Sequence, residues 1–186
     1  MTISIATLFV ALQGSILAQS MSVPVDIQLE LMSKILYLDK SLNLESGDTI
    51  KIGIIYNSKL RNSVRVKNDI LYGKKKETQD LRDFESIFIP LDVSTIININ
   101  KEIKKHEFNA IYLTPIRDYD IEKITEICRS EKIISITSVP QFLDYGVSVG
   151  FDLVNNKLKI NINLASAKEE GANFSSRLLK IAHIIN

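Results

Sequence analysis

The chain has no tryptophan, one cysteine and two histidines in 186 residues, and each scarcity excludes something. Cys128 alone cannot form an internal disulfide. His106 and His183 stand at metal-ligand spacing neither from each other nor from the cysteine, so no zinc-type ligand set can be read. The seven glycines are scattered, and none builds a G-x-G-x-x-G phosphate loop. No G-x-S-x-G elbow is present. An excess of either charge is missing too: 23 basic against 22 acidic residues give a formal charge of +1. A binder of nucleic-acid backbone normally carries a clear basic excess. The chain therefore does not read as an enzyme, and neither a cofactor nor a nucleic-acid partner is expected.

Residues 1–20 hold no charged side chain; an apolar stretch from Ile3 to Leu17 is followed by Ala18, Gln19 and Ser20. Small residues at 18 and 20 suit signal-peptidase cleavage before Met21, with cleavage after Ala18 as an alternative. No basic residue precedes the apolar run, and the first is Lys34. Gln13, Gly14 and Ser15 interrupt the stretch, which falls short of the roughly twenty strongly apolar residues of a membrane span. A buried amino-terminal helix or strand also fits it. The reading adopted is a signal peptide over 1–20 and one domain over 21–186, located in the periplasm.

Beyond that point, strands and helices alternate with short connections. Ile27, Leu31, Ile35, Leu38 and Leu42 predict a helix over Val25–Leu44, capped by Asp26. Thr49–Tyr56 has the profile of a strand buried on both faces. A helix follows from Asn57 to about Tyr72, then a strand Phe84–Leu91 ended by Pro90. The spacing next predicts a helix over Ser94–His106 and a strand over Asn109–Thr114. A helix capped by Asp118 or Asp120 runs through Ser130, with Cys128 on its apolar face as a buried structural thiol. Ile133–Ser138 is a fourth strand. Such alternation marks a parallel sheet covered on both sides. The expected fold is α/β: a three-layer αβα sandwich with a mostly parallel sheet of five to six strands, closed by a β-hairpin plus helix.

The hairpin is the clearest local signal. Val147, Val149, Phe151 and Leu153 alternate with Ser148, Gly150 and Asp152; Leu158, Ile160, Ile162 and Leu164 alternate with Lys159, Asn161 and Asn163. A period of two puts each apolar set on one strand face. Asn155-Asn156 tolerates the positive φ of a two-residue turn. After an acidic and glycine break, Asn173 is read as the cap of a helix bearing Phe174, Leu178, Ile181, Ala182 and Ile185.

This carboxyl-terminal region resembles the signature of the YfiR-like family. The residues that carry it are Gly150-Phe151, then Ile162-Asn163-Leu164, Gly171, Ser175-Ser176, Leu178-Leu179 and Ala182. The match is close at that end and one of element order upstream, from about Val25. The resemblance implies a small secreted α/β protein that binds the periplasmic sensory part of a membrane-bound diguanylate cyclase and holds it inactive. The signature residues themselves look architectural: Asn163 at a strand exit, Gly171 in a tight turn, Ser175-Ser176 at first-turn amides.

Two features suit binding. Lys59, Arg61, Arg65 and Lys67, with Lys74–Lys76, make the second helix locally basic. This is either a solvated face or a patch for an acidic partner, the cell-envelope surface or an anionic lipid. The loops after the parallel strands form the other candidate, because open α/β sheets favour ligands there. They place Asn57 and Ser58, Asp92–Thr95, Pro115–Asp118 and Ser138–Gln141 on one rim. A small-molecule-binding module is the alternative to a protein-binding regulator, and a homodimer stays open.

Overall fold

Ile50, Ile52 and Ile54 point to one side of strand β1 (Thr49–Tyr56) and Ile55 to the other, and helices cover both sides. The computed structural model describes residues 23–45, 47–76 and 84–185, without the side chains of 74–76, 118 and 119. The expected signal peptide lies outside the described residues. Along the chain follow α1 (Val25–Tyr37), β1, α2 (Arg61–Lys76), β2 (Glu85–Asp92), α3 (Ile99–His106), β3 (Ala110–Leu113) and α4 (Asp118–Glu131). Then come β4 (Ile134–Thr137), a 3₁₀ helix (Pro140–Tyr145), β5 (Val149–Val154) and β6 (Lys157–Asn163). The chain closes with α5 (Leu164–Glu169), α6 (Ser176–Ile181) and β7 (His183–Ile185).

The strands form one sheet in the order β2-β1-β3-β4-β5-β6-β7. Neighbours are parallel from β2 to β5, β6 is antiparallel to β5, and β7 is parallel to β6. One core layer joins α1, α2, α5 and α6 to the face carrying Ile52, Tyr112, Ile136 and Phe151. The other joins α3, α4 and the 3₁₀ helix to the face carrying Ile55, Ile111 and Leu113. This is the expected three-layer α/β sandwich, with seven strands where five or six were expected.

The added strand comes from the carboxyl terminus, where the expected helix is divided in three. Phe174 makes an antiparallel bridge with Asp39, Ser175 accepts the Leu178 N–H as the cap, and α6 ends at Ile181. His183–Ile185 then leaves helical geometry and pairs with Asn161–Asn163. Ser175 displaces Asn173 as cap because Asn173 is held elsewhere: its N–H donates to Asp39 Oδ1 and its carbonyl accepts from Lys40 N. The same bridge stops α1 at Tyr37 instead of Leu44. Its N-cap is Pro24, not Asp26, and Asp26 sits in the first turn, where a negative charge suits the helix dipole. The supposed break after the hairpin holds a helix, α5, capped by Asn163.

Other boundaries shift for comparable reasons. Asn57 and Ser58 belong to the loop before α2, because their amides bond to Ser63 Oγ and Asp92 Oδ1. Helix α3 begins at Ile99 behind the Asn98 cap, five residues later than expected. Arg117 holds the N-cap position of α4, ahead of both candidate aspartates. Pro90 lies inside β2. That strand is a sheet edge, where a missing N–H removes no ladder bond that a central strand would need. Asn155 and Asn156 both take positive φ, 51° and 59°, the two-residue turn that matches strand twist.

Candidate functional site

The carboxyl ends of the parallel strands carry a polar network that satisfies itself. Asp92 Oδ1 accepts from Ser58 N at 3.1 Å, Ser94 N at 3.0 Å and Ser94 Oγ at 2.8 Å. Ser58 and Ser94 hydroxyls lie 2.8 Å apart. Burial alone would raise the Asp92 carboxyl, but these donors from Ser58 and Ser94 hold it down at about 2. Next to it, Ser63 Oγ accepts from Asn57 N and lies 2.6 Å from Thr114 Oγ1, which donates to the Ile55 carbonyl. Loop closure uses these groups. Ser138 is fully buried, and its hydroxyl takes no part in this network.

The basic residues of α2 divide between two sides. Arg61 and Arg65 are one helical turn apart and exposed; Arg65 also bonds Asn62 and lies 3.5 Å from Asp69. Lys67 is two positions further, about 200° around the helix, and its ammonium sits 5.0 Å from the centroid of the Tyr56 ring. Lys59 is exposed in the preceding loop. The side chains of Lys74–Lys76 are outside the description.

The signature residues do not line a common cavity. Phe151 and Ile162 are wholly buried, and Leu178 nearly so. Leu179 and Ala182 pack at the edge of the same core. A Cβ on Gly150 would meet Leu143 Cδ1 at 2.8 Å, so the Leu143 side chain fills the space over this glycine. Gly150→Ala should cost about 1–3 kcal/mol through overpacking, measurable as a lower urea midpoint. Asn163 Oδ1 accepts from Ser166 N, and its Nδ2 donates to the Leu143 carbonyl. Leu164 opens α5, half-buried, and Ser176 opens α6, exposed. Gly171 turns with φ +84° against Lys132.

Sequence reasoning missed the buried carboxylate. Glu170, fully buried, accepts from Ser135 N at 2.8 Å, from Ser135 Oγ at 2.6 Å and from Ser148 Oγ. Ser135 Oγ in turn accepts from Ser148 N at 2.9 Å. Strands β4 and β5 pair only at Ile136–Val149 and Thr137–Gly150. Below that register the two strands fork, and the carboxyl and the serine hydroxyls replace the missing ladder bonds. Burial pushes the Glu170 carboxyl up to about 7, against the hydrogen bonds and the Arg129 charge. Cys128 is fully buried, and burial, with the Glu170 charge, pushes its thiol well up. No group of three His, Cys, Asp or Glu side chains among the described residues could hold a metal ion.

Sequence reasoning also missed an opening of about 460 Å³ on the first helical layer. Leu31 and Ile35 of α1, Leu158 and Ile160 of β6, and Leu178 and Ile181 of α6 form its walls. Leu158 is 41% exposed and Ile181 68%. Lys34 and Arg177 are its charged side chains, and no carboxylate is part of the lining.

The described residues form a single-lobed α/β sandwich. Several solved structures share this fold. The ligand-free, open form of CD0873, an adhesive substrate-binding protein from Clostridium difficile, matches at 14% identity and TM-score 0.60 over 88% of this chain and 60% of its own. An ABC domain in complex with L-Trp from Streptococcus pneumonia matches at 16% and 0.55, over 87% of this chain and 60% of its own. A conserved domain protein from Vibrio cholerae matches at 16% and 0.56, over 88% and 60%. At these identities the likeness is one of fold, and this chain spans about three-fifths of their length. No curated protein matches. Residues 45–183 match the YfiR/HmsC-like family model, and the chain belongs to that family. Membership supports a regulatory role in the periplasm. Among the described residues, no helix is long and apolar enough to cross a membrane.

Proposed function

We propose that the chain is a non-catalytic periplasmic regulator that binds the sensory domain of an inner-membrane diguanylate cyclase and favours its inactive state. The observation that carries this reading is the family match over residues 45–183. Inhibition needs tighter binding to the inactive state, about 1.4 kcal/mol for each tenfold bias. The contact surface in this reading is the exposed Lys59, Arg61 and Arg65 at the start of α2, facing an acidic partner. Lys67, turned away on the helix, is left out of it.

Affinity purification from envelope extract tests the reading. The chain should recover a membrane signalling protein, and the Arg61→Glu/Arg65→Glu double variant should weaken that capture at least tenfold with its melting temperature little changed. Recovery of no membrane signalling protein, or undiminished capture by the variant, counts against it. A second reading, a small-molecule-binding module, is favoured by the apolar opening between α1, β6 and α6. The two are compatible, since a ligand in that groove lies on the same helical layer as α2.

A further inference from the structure

The groove between α1, β6 and α6 is built for a ligand with one long apolar body and one anionic end. All three elements contribute aliphatic side chains to its walls. The polar side chains among them are few: Ser33 already donates to the Leu29 carbonyl, Lys34 is paired with Glu30, and Tyr37 adds one phenol at the end of α1. Arg177, exposed on α6, makes no ion pair among the described residues. A ligand rich in polar groups, such as an amino acid or nucleoside, would leave those groups without partners in such a site. A single acyl chain would not.

Size points the same way. An apolar cavity of about 150 Å³ takes one benzene ring, so the 460 Å³ here has room for a chain of some fifteen carbons. Two turns of helix, about 10 Å across and 11 Å long, would need roughly 850 Å³. With Lys34 already neutralised by Glu30, the positive end of Arg177, with no acidic side chain in the lining, selects a negative head group. We propose that this groove binds a long-chain fatty acid, its tail between Leu31, Ile35, Leu158 and Ile160 and its carboxylate at Arg177. The proposal rests on the small-molecule reading and narrows it to one ligand class.

Calorimetric titration of the delipidated full chain with hexadecanoate, below its micellar concentration, tests this. Hexadecanol serves as the uncharged comparison. Saturable binding is expected, with a rise in melting temperature. Arg177→Glu should weaken hexadecanoate at least tenfold and leave hexadecanol unchanged. Leu158→Glu, at an exposed hairpin position, should abolish both while the protein still unfolds cooperatively. Hexadecanol binding with no preference for the acid would retain a small-molecule site and overturn the fatty-acid assignment. No binding of either would overturn both. A concentration-dependent dimer that Leu158→Glu disrupts, with no ligand bound, would show that a second copy fills the groove and would overturn the proposal.

Discussion

Glu170→Ala is expected to destabilise the protein by about 2–4 kcal/mol at pH 6, because it strips partners from the buried Ser135 amide and two serine hydroxyls. The fork between β4 and β5 would then have neither ladder bonds nor a substitute. The pH dependence follows from the raised carboxyl, at about 7 in the folded chain against 4.5 for the ordinary group. Below pH 4.5 both states hold the proton, and the contribution of this site to stability is complete. Between 4.5 and 7 the unfolded chain releases a proton that the folded chain keeps, so stability falls as pH rises. By pH 8 the loss from this one group amounts to on the order of 3 kcal/mol. Glu170→Gln, which cannot ionise, should flatten that segment of the curve. Urea midpoints from pH 4 to pH 8 measure it, and an equal slope in both proteins would refute the assignment.

Phe151→Ala should cost about 3–5 kcal/mol, the range for emptying a large, fully buried aromatic site. Phe151 lies on β5 in the core cluster that also holds Met32 and Leu36 of α1 and Leu178 of α6. One deletion therefore loosens the seam between the sheet and two helices. Phe151→Leu keeps most of the volume and should cost less than half as much. Chemical denaturation of the two variants separates them. Equal, small losses would mean that the aromatic belongs to a surface instead of the framework.

How much could be read from the sequence depended on the range of the interactions. Strand β1 matches its expected span of Thr49–Tyr56 because eight residues of near-continuous apolar character admit little else. The hairpin was legible because its turn chemistry is local. At the carboxyl terminus, Phe174, Leu178, Ile181 and Ile185 keep helical spacing, yet they serve a bridge, a six-residue helix and a three-residue strand. Periodicity cannot separate elements that short.

The fork and the groove were out of reach for a different reason. Glu170 finds Ser148 and Ser135 at 22 and 35 residues' separation, and only the fold brings them together. In the sequence, the pair Glu169-Glu170 before Gly171 reads as an acidic break between the hairpin and the terminal helix. Leu158 and Ile181 look like ordinary core candidates by pattern, but they are exposed beside the groove because no further element covers that corner of the sheet among the described residues. Arg177 gave no signal at all; a lone arginine on a short helix acquires meaning from what lies opposite.

The most direct measurement of the regulatory account is the cellular level of cyclic di-GMP, compared between cells that carry this chain and cells that lack it. The account predicts a rise on deletion, reversed when the intact chain is restored and not reversed by Arg61→Glu/Arg65→Glu. Unchanged cyclic di-GMP across all of these, with the chain exported and folded, would contradict it.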